Sequence, residues 1–183
     1  MKVVSITNIY QGFCKVQKVT LENPEGQQFE AERVIRKPAV LAICHDPIND
    51  KVMLVQQYRV GAMRTLIEWP GGLVNEDELE HQAVAREVLE ETGVEVKSVT
   101  HLFSYLASPG LQMEPVQIFY CTFDSREVEE RLMQGEGMEL TQVVLKGAKE
   151  LIREVERGEH CSLPVITGAM HLKMMHHRIG RVV

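Results

Sequence analysis

The sequence contains no long apolar run, no cluster of basic residues and no closely spaced pair of cysteines. None of its apolar runs approaches the about 18 residues that a membrane-spanning helix requires, so we expect no membrane association of that kind. Lysine and arginine form no basic segment, and the formal net charge is -6 at pH 7. Nucleic acid is therefore not expected as a main partner.

The four cysteines are far apart in the sequence, and none belongs to a Cys-x-x-Cys motif. They are Cys14, Cys44, Cys121 and Cys161. This spacing favours reduced, mostly packed thiols and a cytoplasmic protein. Residues 1–13 also lack the basic segment and long apolar run that are typical of a secretory signal.

The 183 residues are 44% hydrophobic and 25% charged, which is ordinary for one soluble domain with a small appendage. Short β-branched segments fill residues 1–36, with a turn signal at Asn23–Gly26. Pro38 marks a boundary between an N-terminal β region, residues 1–37, and a main domain, residues 38–183. A small antiparallel sheet exposes an edge and a face, so we expect it to pair with a second subunit in a homodimer.

The main domain alternates strand patterns with helix patterns. Strands are predicted at residues 39–44, 52–60, 98–107, 116–123 and 141–145, and helices at 147–159 and 163–178. The segment 108–115 is too irregular for a tight hairpin and is interpreted as a functional loop. Residues 125–140 are predicted to form a polar loop or a short helix. Together these elements predict a mixed sheet with three helices, an α/β or α+β layered fold.

The third helix is the one within Gly72–Val94, which is read as a loop followed by a helix. Asn75 or Asp77 is expected to cap its start, and Gly93 to end it. At about 100° per residue, four apolar residues form one arc of this helix. They are Val84, Ala85, Val88 and Leu89.

A separate arc carries the carboxylates of Glu87, Glu90 and Glu91. Like charges at i and i+4 cost about 0.2–0.5 kcal/mol, and acids near a helix C-terminus also oppose its dipole. The arrangement therefore does not serve helix stability. It suits a Mg²⁺ or Mn²⁺ ion that bridges to substrate phosphates, whereas a solvated acidic face is the alternative. Arg86 precedes Glu90 by one turn and can hold that carboxylate in place.

The residues around this arc match a known motif at every specified position. The match reads Gly72, five residues, Glu78, seven residues, and then Arg86-Glu87-Val88-x-Glu90-Glu91-x-Gly93-Val94. In this pattern the chain resembles the Nudix hydrolases. The resemblance implies an α/β/α sandwich with a mixed sheet, a bound Mg²⁺ ion, with Mn²⁺ as the other candidate, and hydrolysis of a diphosphate.

The same resemblance implies roles for individual residues. Glu87 and Glu91 are metal ligands, and the backbone carbonyl of Gly71 is a further ligand. Glu90 is a ligand or a close catalytic helper. Arg86 joins the catalytic group by bracing the loop and helix together with Glu78.

Stretches outside the motif are similar to the ADP-ribose pyrophosphatase branch of the family, notably residues 40–60, 67–78 and 103–114. Ser108-Pro109-Gly110 followed by Glu114 resembles a loop of that branch whose glutamate positions or activates the attacking water. Glu114 is therefore the candidate base. In this branch the N-terminal strands pair two subunits, which supports the expected homodimer.

Three residues are candidates for substrate binding. Arg59, and Arg36 with it, would hold phosphate through bidentate hydrogen bonds, although plain surface ion pairing is the alternative for both. Glu68 either binds a terminal ribose or has a structural role.

The implied reaction is hydrolysis of a nucleoside diphosphate sugar, with ADP-ribose cut to AMP and ribose 5-phosphate as the leading interpretation. A hydrolase of GDP-mannose or of another nucleotide sugar is one alternative. A non-catalytic ligand sensor with the Nudix fold is the other.

Two positions depart from the branch. Gly71 stands where a small residue such as alanine is usual, and Trp69 stands where an aliphatic residue is usual. Some ADP-ribose enzymes stack adenine on aromatic residues of the N-terminal region, where this chain offers Tyr10, Phe13 and Phe29 instead of tryptophan.

The C-terminal helix carries His171, His176 and His177. Their spacing is poor for one metal ion, and no nearby acid in the sequence completes a set of ligands. A surface or packing role is therefore expected for them.

Overall fold

The structure, a computed structural model, describes residues 1–128 and 141–179. It forms two compact units, one of residues 1–39 and 104–117, the other of residues 40–103 and 118–183. Of the loop or short helix predicted over 125–140, only a 3₁₀ turn at Ser125–Glu127 and the residue after it lie within the described residues.

The described strands are β1 (Lys2–Gln11), β2 (Lys15–Glu22), β3 (Gln28–Ile35), β4 (Ala39–Asp46), β5 (Lys51–Arg59), β6 (Arg64–Glu68), β7 (Gly71–Leu73), β8 (Ser98–Ser108), β9 (Gln112–Thr122) and β10 (Thr141–Gly147). The described α-helices are α1 (Glu80–Thr92), α2 (Ala148–Glu156) and α3 (Leu163–Ile179).

The first unit is built on the antiparallel meander β1–β2–β3, as the sequence predicts. The Asn23 side chain closes the turn between β2 and β3, because its Oδ1 accepts hydrogen bonds from the backbone N–H groups of Glu25 and Gln27 at 3.1 and 2.8 Å. The end of β3 then pairs in parallel with the start of β9. Every residue of β1 is exposed in the single chain.

In the second unit the strands run in the order β9–β4–β5–β10, with β6 on β5 and β7 on β4. Long buried runs of β4 and β5 meet one face of α1 in the core, since β-branched and other apolar side chains fill both strands. The core cluster includes Val40, Ala42, Cys44, Met53, Ala83, Val84, Val88, Phe119, Cys121 and Val143. The predicted mixed α/β fold is confirmed.

The segment 108–115 does not form the predicted irregular loop. Strand β8 extends to Ser108 and β9 starts at Gln112, so only three residues connect them. The N–H of Leu111 donates to the carbonyl of Ser108 at 3.0 Å and closes the turn. Glu114 therefore lies in a strand, and the irregular composition reflects a tight connection rather than a long loop.

Helix α1 also begins later than predicted. It starts at Glu80, so that neither Asn75 nor Asp77 caps it, and the residue before it is Leu79, which makes no side-chain cap. Gly93 does end the helix, in the left-handed conformation with φ 71°. The predicted apolar arc was wrong at Leu89, which is 43% exposed.

Two cysteines of the second unit, Cys44 and Cys121, are buried and free. Burial raises the pKa of the Cys121 thiol to about 12, so this thiol is unreactive. Within the described residues, no helix is both long enough and apolar enough to cross a membrane.

Glu154 anchors helix α2 to β10, and its carboxylate, which is 13% exposed, lies between Lys146 and His160. Lys146 Nζ lies 2.5 Å from Glu154 Oε1, and His160 Nε2 lies 2.9 Å from Oε2. Burial opposes ionisation, but the bonds from His160 and Lys146 outweigh it and hold the pKa of Glu154 below its ordinary value.

Replacing Glu154 by glutamine is expected to lower the free energy of unfolding by about 2 kcal/mol at pH 7. A carboxyl group with a depressed folded-state pKa stabilises the protein above its unfolded pKa and loses that contribution as pH falls through the folded value. The difference between variant and wild type should therefore shrink in acid. Urea denaturation at pH 7 and pH 4 measures it, with Glu150→Gln, an exposed position of the same helix, as the control. A difference that is constant with pH would contradict the role of the charge.

Candidate active site

Helix α1 presents its acidic arc because its opposite face is fixed in the core. Ala83, Val84 and Val88 are fully buried, each with 0% exposure. Thr92 is also buried, and its hydroxyl donates to the carbonyl of Val88 at 2.6 Å. The rotation of the helix is therefore set by packing, and the glutamates on the other side cannot turn inward.

Arg86 joins the loop before the helix to the acidic arc. Its Nε and Nη2 donate to the two carboxylate oxygens of Glu78 at 2.8 and 3.0 Å, a bidentate pair. Its Nη1 donates to Glu87 at 2.8 Å and to Glu90 at 3.0 Å. Nη2 also donates to the carbonyl of Leu73 at 3.1 Å. One guanidinium thus holds three carboxylates and the backbone of β7.

These contacts shift the protonation of both partners. The hydrogen bonds from Arg86 hold the pKa of Glu78 below its ordinary value, and the bonds to Glu78 raise the pKa of Arg86. Both groups therefore stay charged at neutral pH. The N–H of Asn75 also donates to Glu78 at 3.1 Å, which fixes the loop that carries it.

Glu91 lies at the end of the acidic arc nearest to Gly71. The Gly71 N–H donates to Glu91 Oε2 at 2.9 Å, so that the predicted ligands Gly71 and Glu91 are brought together. Burial raises the pKa of Glu91 to about 7, and the nearby charge of Glu87 adds to the increase. The surroundings of Glu91 therefore stabilise its ionised form poorly.

Glu87 is held against the backbone of Gly72. A Cβ atom at position 72 would lie 2.4 Å from the Glu87 carboxylate, which is closer than real contacts allow. Burial raises the pKa of Glu87, although its bond from Arg86 partly offsets the increase. The glycine is therefore what allows this carboxylate to lie where it does.

These residues fit a hard divalent cation. The donor atoms are carboxylate oxygens and a backbone carbonyl, which are the ligands that Mg²⁺ and Mn²⁺ prefer. Two of the carboxylates, those of Glu87 and Glu91, are costly to ionise where they stand, and a cation would compensate them. Among cations of the chain, Arg86 alone makes a hydrogen bond with either carboxylate in the contacts that the structure describes.

Steric contacts explain why position 71 is a glycine. A Cβ atom there would lie 2.1 Å from the carbonyl oxygen of Val40 and 2.9 Å from the Cα of Leu41. Strand β7 approaches β4 so closely that even alanine would require a backbone shift. The packing of this chain therefore requires glycine at position 71.

Gly72→Ala is expected to weaken Mg²⁺ binding by about 10–100-fold while leaving the fold intact. The added methyl group meets only the end of a flexible side chain, so that Glu87 moves and the backbone stays. Calorimetric titration with Mg²⁺ measures the affinity. Gly61→Ala is the matched control, because a Cβ at position 61 meets no atom within 4 Å. Unchanged affinity in Gly72→Ala would contradict the placement of Glu87.

Arg59 and Glu68 form an ion pair through the Arg59 Nε. The other oxygen of Glu68 accepts a hydrogen bond from the Ser162 hydroxyl at 3.2 Å. Glu68 is thus occupied by two partners, whereas the Arg59 side chain is 43% exposed. The substrate-binding roles predicted for both residues stay predictions.

Trp69 has a packing role. Its side chain is 1% exposed, and its indole N–H donates to the carbonyl of Pro164 at 3.0 Å in the first turn of α3. Gly168 lets the ring approach, since a Cβ there would lie 2.4 Å from the indole nitrogen. The tryptophan therefore fixes α3 beside the strand that leads to Gly71.

Arg36 and Glu114 lie in the first unit and contact each other. Arg36 Nε lies 3.1 Å from Glu114 Oε1, and Gln112 Nε2 donates to Glu114 Oε2 at 2.5 Å. The Arg36 guanidinium also stacks on the Phe13 ring at 5.1 Å from its centroid. Glu114 is 15% exposed in this ion pair, unlike the exposed loop acid that its sequence context also allows. Its catalytic role stays a prediction.

Comparison with known protein families identifies the same part of the chain. The NUDIX domain model matches residues 35–160, which include the whole acidic motif. The chain belongs to the Nudix family. The predicted resemblance is thereby confirmed.

Individual relatives agree with this assignment. The chain is 28% identical over 155 residues to the methanol dehydrogenase activator of Bacillus methanolicus, with 84% of this chain and 83% of that protein covered. It is 30% identical over 137 residues to the ADP-ribose pyrophosphatase of Bacillus subtilis, with 74% of each covered. A solved ADP compounds hydrolase has the same fold, with a TM-score of 0.80, 18% identity, and 98% of this chain and 96% of that chain covered.

Some contacts of the Nudix site could not be found from sequence. Ser162 lies 94 residues from Glu68, and no local pattern links them. The close approach at Gly72 had a signal, because a Gly-Gly pair next to an acidic helix indicates tight backbone contact.

Proposed function

We propose that this Nudix protein hydrolyses the diphosphate of ADP-ribose and releases AMP and ribose 5-phosphate, with Mg²⁺ as its metal. The observation that carries the proposal is the pair of half-buried carboxylates, Glu87 and Glu91, which are hydrogen-bonded by Arg86 and by the Gly71 backbone respectively. Such a pair is unfavourable without a cation and suits a phosphorylated substrate.

The metal would be held by Glu87, Glu91 and the Gly71 carbonyl, with Glu90 as a further ligand or helper. When bound, Mg²⁺ neutralises diphosphate charge and lowers the pKa of a coordinated water. Arg86 keeps Glu87 and Glu90 in place so that little reorganisation is needed on substrate binding. The chain's net charge of -6 makes such local compensation necessary for an anionic substrate.

Arg59 supplies the positive charge for a substrate phosphate in this proposal. Its Nε is engaged by Glu68, which orients the guanidinium and leaves further N–H donors for the ligand. Arg36 serves as a second phosphate contact, and Glu68 either receives a ribose hydroxyl or only orients Arg59.

Glu114 is proposed to position or deprotonate the attacking water. To act in this way it has to exchange the Arg36 and Gln112 contacts for water, at least in part. Comparing kcat for Glu114→Gln with wild type tests the role. A rate near that of wild type would remove Glu114 from the mechanism.

The names of the relatives favour ADP-ribose over other nucleotide sugars. By their names, the Bacillus subtilis relative acts on ADP-ribose and the solved structure with the same fold acts on ADP compounds. GDP-mannose and other nucleotide sugars are the second candidate, because the metal site contacts only the diphosphate and does not select a base. A non-catalytic sensor is the third candidate, and the complete acidic motif speaks against it.

A substrate panel tests the proposal. Initial rates with Mg²⁺ are measured for ADP-ribose, GDP-mannose, UDP-glucose and ADP-glucose at several concentrations. The proposal expects the highest kcat/KM for ADP-ribose. A preference for GDP-mannose would overturn the proposed substrate but keep the reaction, whereas no turnover on any compound would overturn the enzyme.

A homodimer formed through the N-terminal strands is part of the proposal. Strand β1 exposes several apolar side chains in the single chain, including Val3 at 55%, Ile6 at 47% and Ile9 at 51%. A strand edge with exposed apolar residues favours pairing with a second copy. Sedimentation analysis should give twice the chain mass, and Ile6→Glu should shift it toward the monomer. A wild-type monomer at micromolar concentration would contradict the proposed dimer.

A cytoplasmic location is also proposed, and the four free cysteines support it. Nucleic acid is not among the proposed partners, since the net charge is negative.

A further inference from the structure

Three side chains outside the Nudix site converge in the second unit. His45 lies near the end of β4, Asp50 lies in the turn between β4 and β5, and His176 lies toward the end of α3. Asp50 Oδ1 is 3.2 Å from His45 Nε2 and 3.0 Å from His176 Nε2. The sequence did not predict this set, because no acid stands near His176 along the chain, and the turn residue reaches it only in the fold.

The geometry of the three ligand atoms is that of a small metal site. All three lie within 4.8 Å of one another. In a tetrahedral zinc site with bonds of about 2.0–2.1 Å, neighbouring ligand atoms are about 3.3–3.4 Å apart. The separations of 3.2 and 3.0 Å from Asp50 Oδ1 are shorter than this by up to a few tenths of an ångström, so that these two pairs need only slight side-chain adjustment.

A contact with Tyr120 orients the His45 ring. His45 is 5% exposed, and its Nδ1 lies 2.8 Å from the Tyr120 hydroxyl. Histidines that bind metals usually donate the second ring N–H to such a partner, which leaves the other nitrogen free to coordinate. Nε2 of His45 is the ring nitrogen that faces Asp50, at 3.2 Å from its Oδ1.

The main chain of Asp50 is also held in place. The Asp50 carbonyl accepts a hydrogen bond from the N–H of Ala148 at 2.9 Å, at the start of α2. Asp50 is thereby tied to β10 and α2 as well as to its own turn. Its side chain is 35% exposed, so that solvent can supply a fourth ligand.

We infer that His45, Asp50 and His176 form a binding site for a divalent transition-metal ion, for which Zn²⁺ is the best match, with water in the remaining position. Two imidazoles and one carboxylate favour zinc over Mg²⁺, which prefers oxygen ligands throughout. The ion links α3 to the turn between β4 and β5 and is separate from diphosphate hydrolysis. The inference does not depend on the proposed function.

The experiment is a Zn²⁺ titration of the full chain in excess Mg²⁺, with a competing chelator to set the free concentration. We expect one tightly bound Zn²⁺ per chain. His176→Ala should reduce the affinity at least about 100-fold, and Tyr120→Phe about 10–100-fold. His177→Ala, which changes the exposed neighbouring histidine, is the control and should bind as wild type does. Zinc binding unchanged in His176→Ala, or no binding at all by wild type, would overturn the inference.

Three further measurements test this site, and the first separates it from the Nudix site. Glu91→Gln should still bind one Zn²⁺ per chain. Loss of the bound Zn²⁺ in this variant would assign the ion to α1 instead.

Co²⁺ should give the intense visible bands of tetrahedral coordination in wild type and in Asp50→Glu, and weak octahedral bands in His176→Ala. Zn²⁺ should also raise Tm in wild type and leave it unchanged in His176→Ala, because the bound ion joins segments far apart in sequence. A folded His176→Ala variant whose Tm rises with Zn²⁺ as much as that of wild type would contradict the site.

Discussion

Replacing Glu91 by glutamine is expected to lower kcat for Mg²⁺-dependent ADP-ribose hydrolysis by about a thousandfold. A catalytic metal contributes several kcal/mol of charge stabilisation in the transition state, and about 1.4 kcal/mol corresponds to a factor of ten in rate. Glutamine keeps the shape and the acceptor for the Gly71 N–H but removes the charge that is proposed to hold the metal. Purified variant and wild type are compared at saturating substrate and Mg²⁺.

The same substitution separates catalysis from folding. Because Glu91 is a poorly compensated acid in the metal-free protein, its neutral replacement should be at least as stable as wild type in EDTA. Mg²⁺ should raise Tm of wild type by mass action and should have little effect on Glu91→Gln. Differential scanning fluorimetry with and without Mg²⁺ measures both.

The control for Glu91 is Glu95→Gln, an exposed position just after the helix. It changes the net charge equally and should keep both the rate and the Mg²⁺ effect on Tm. A Glu91→Gln rate within a few fold of wild type would contradict the metal-ligand role.

Arg86→Ala is expected to reduce the free energy of unfolding by about 3 kcal/mol and to abolish Mg²⁺-dependent activity. The substitution leaves three carboxylates without their cation, and two of these, Glu78 and Glu87, are only 16% and 15% exposed. It also leaves the Leu73 carbonyl without its donor. Urea denaturation in EDTA measures the stability, and the activity assay measures the second effect.

Arg86→Lys should recover only a small part of that stability. A lysine ammonium cannot bind Glu78 at two oxygens while also reaching Glu87 and Leu73. Arg126→Ala is the control, because that arginine is 80% exposed in its ion pair with Asp124 and its replacement should change the stability little. A loss in Arg86→Ala no larger than in the control would show that the network does not organise the loop and helix.

The sequence was most informative where chemistry and spacing coincide. Glu87 and Glu91 one turn apart, with Arg86 before them, predicted both the helix and its acidic face. The core packing of Val84 and Val88 followed from helical periodicity. These residues are close together along the chain, so that their spacing in the sequence was enough to predict their arrangement.

The predictions failed where tertiary contacts decide the outcome. Segment 108–115 looked irregular because of its proline and glycine residues, yet these residues form a three-residue connection. Leu89 was assigned to the core, but the rotation set by Ala83 and Thr92 leaves it exposed. The start of α1 was placed too early because polar residues in a loop resemble helix caps.

The histidines of α3 are the clearest case of missing long-range information. The sequence favoured a surface or packing role for these histidines, because their spacing is poor for one ion and no acid stands near His176. Asp50 is distant along the chain and becomes its neighbour only when α3 packs beside the turn between β4 and β5. Such a set is visible only after the topology is known.

The most direct test of the account is phosphorus NMR of ADP-ribose incubated with the wild-type protein and Mg²⁺. The diphosphate resonances should disappear and the resonances of AMP and ribose 5-phosphate should replace them in equal amounts. Adding EDTA should stop the reaction, and restoring Mg²⁺ should restart it. Unchanged diphosphate resonances, or turnover that continues at the same rate in EDTA, would contradict a metal-dependent hydrolase built on Glu87 and Glu91.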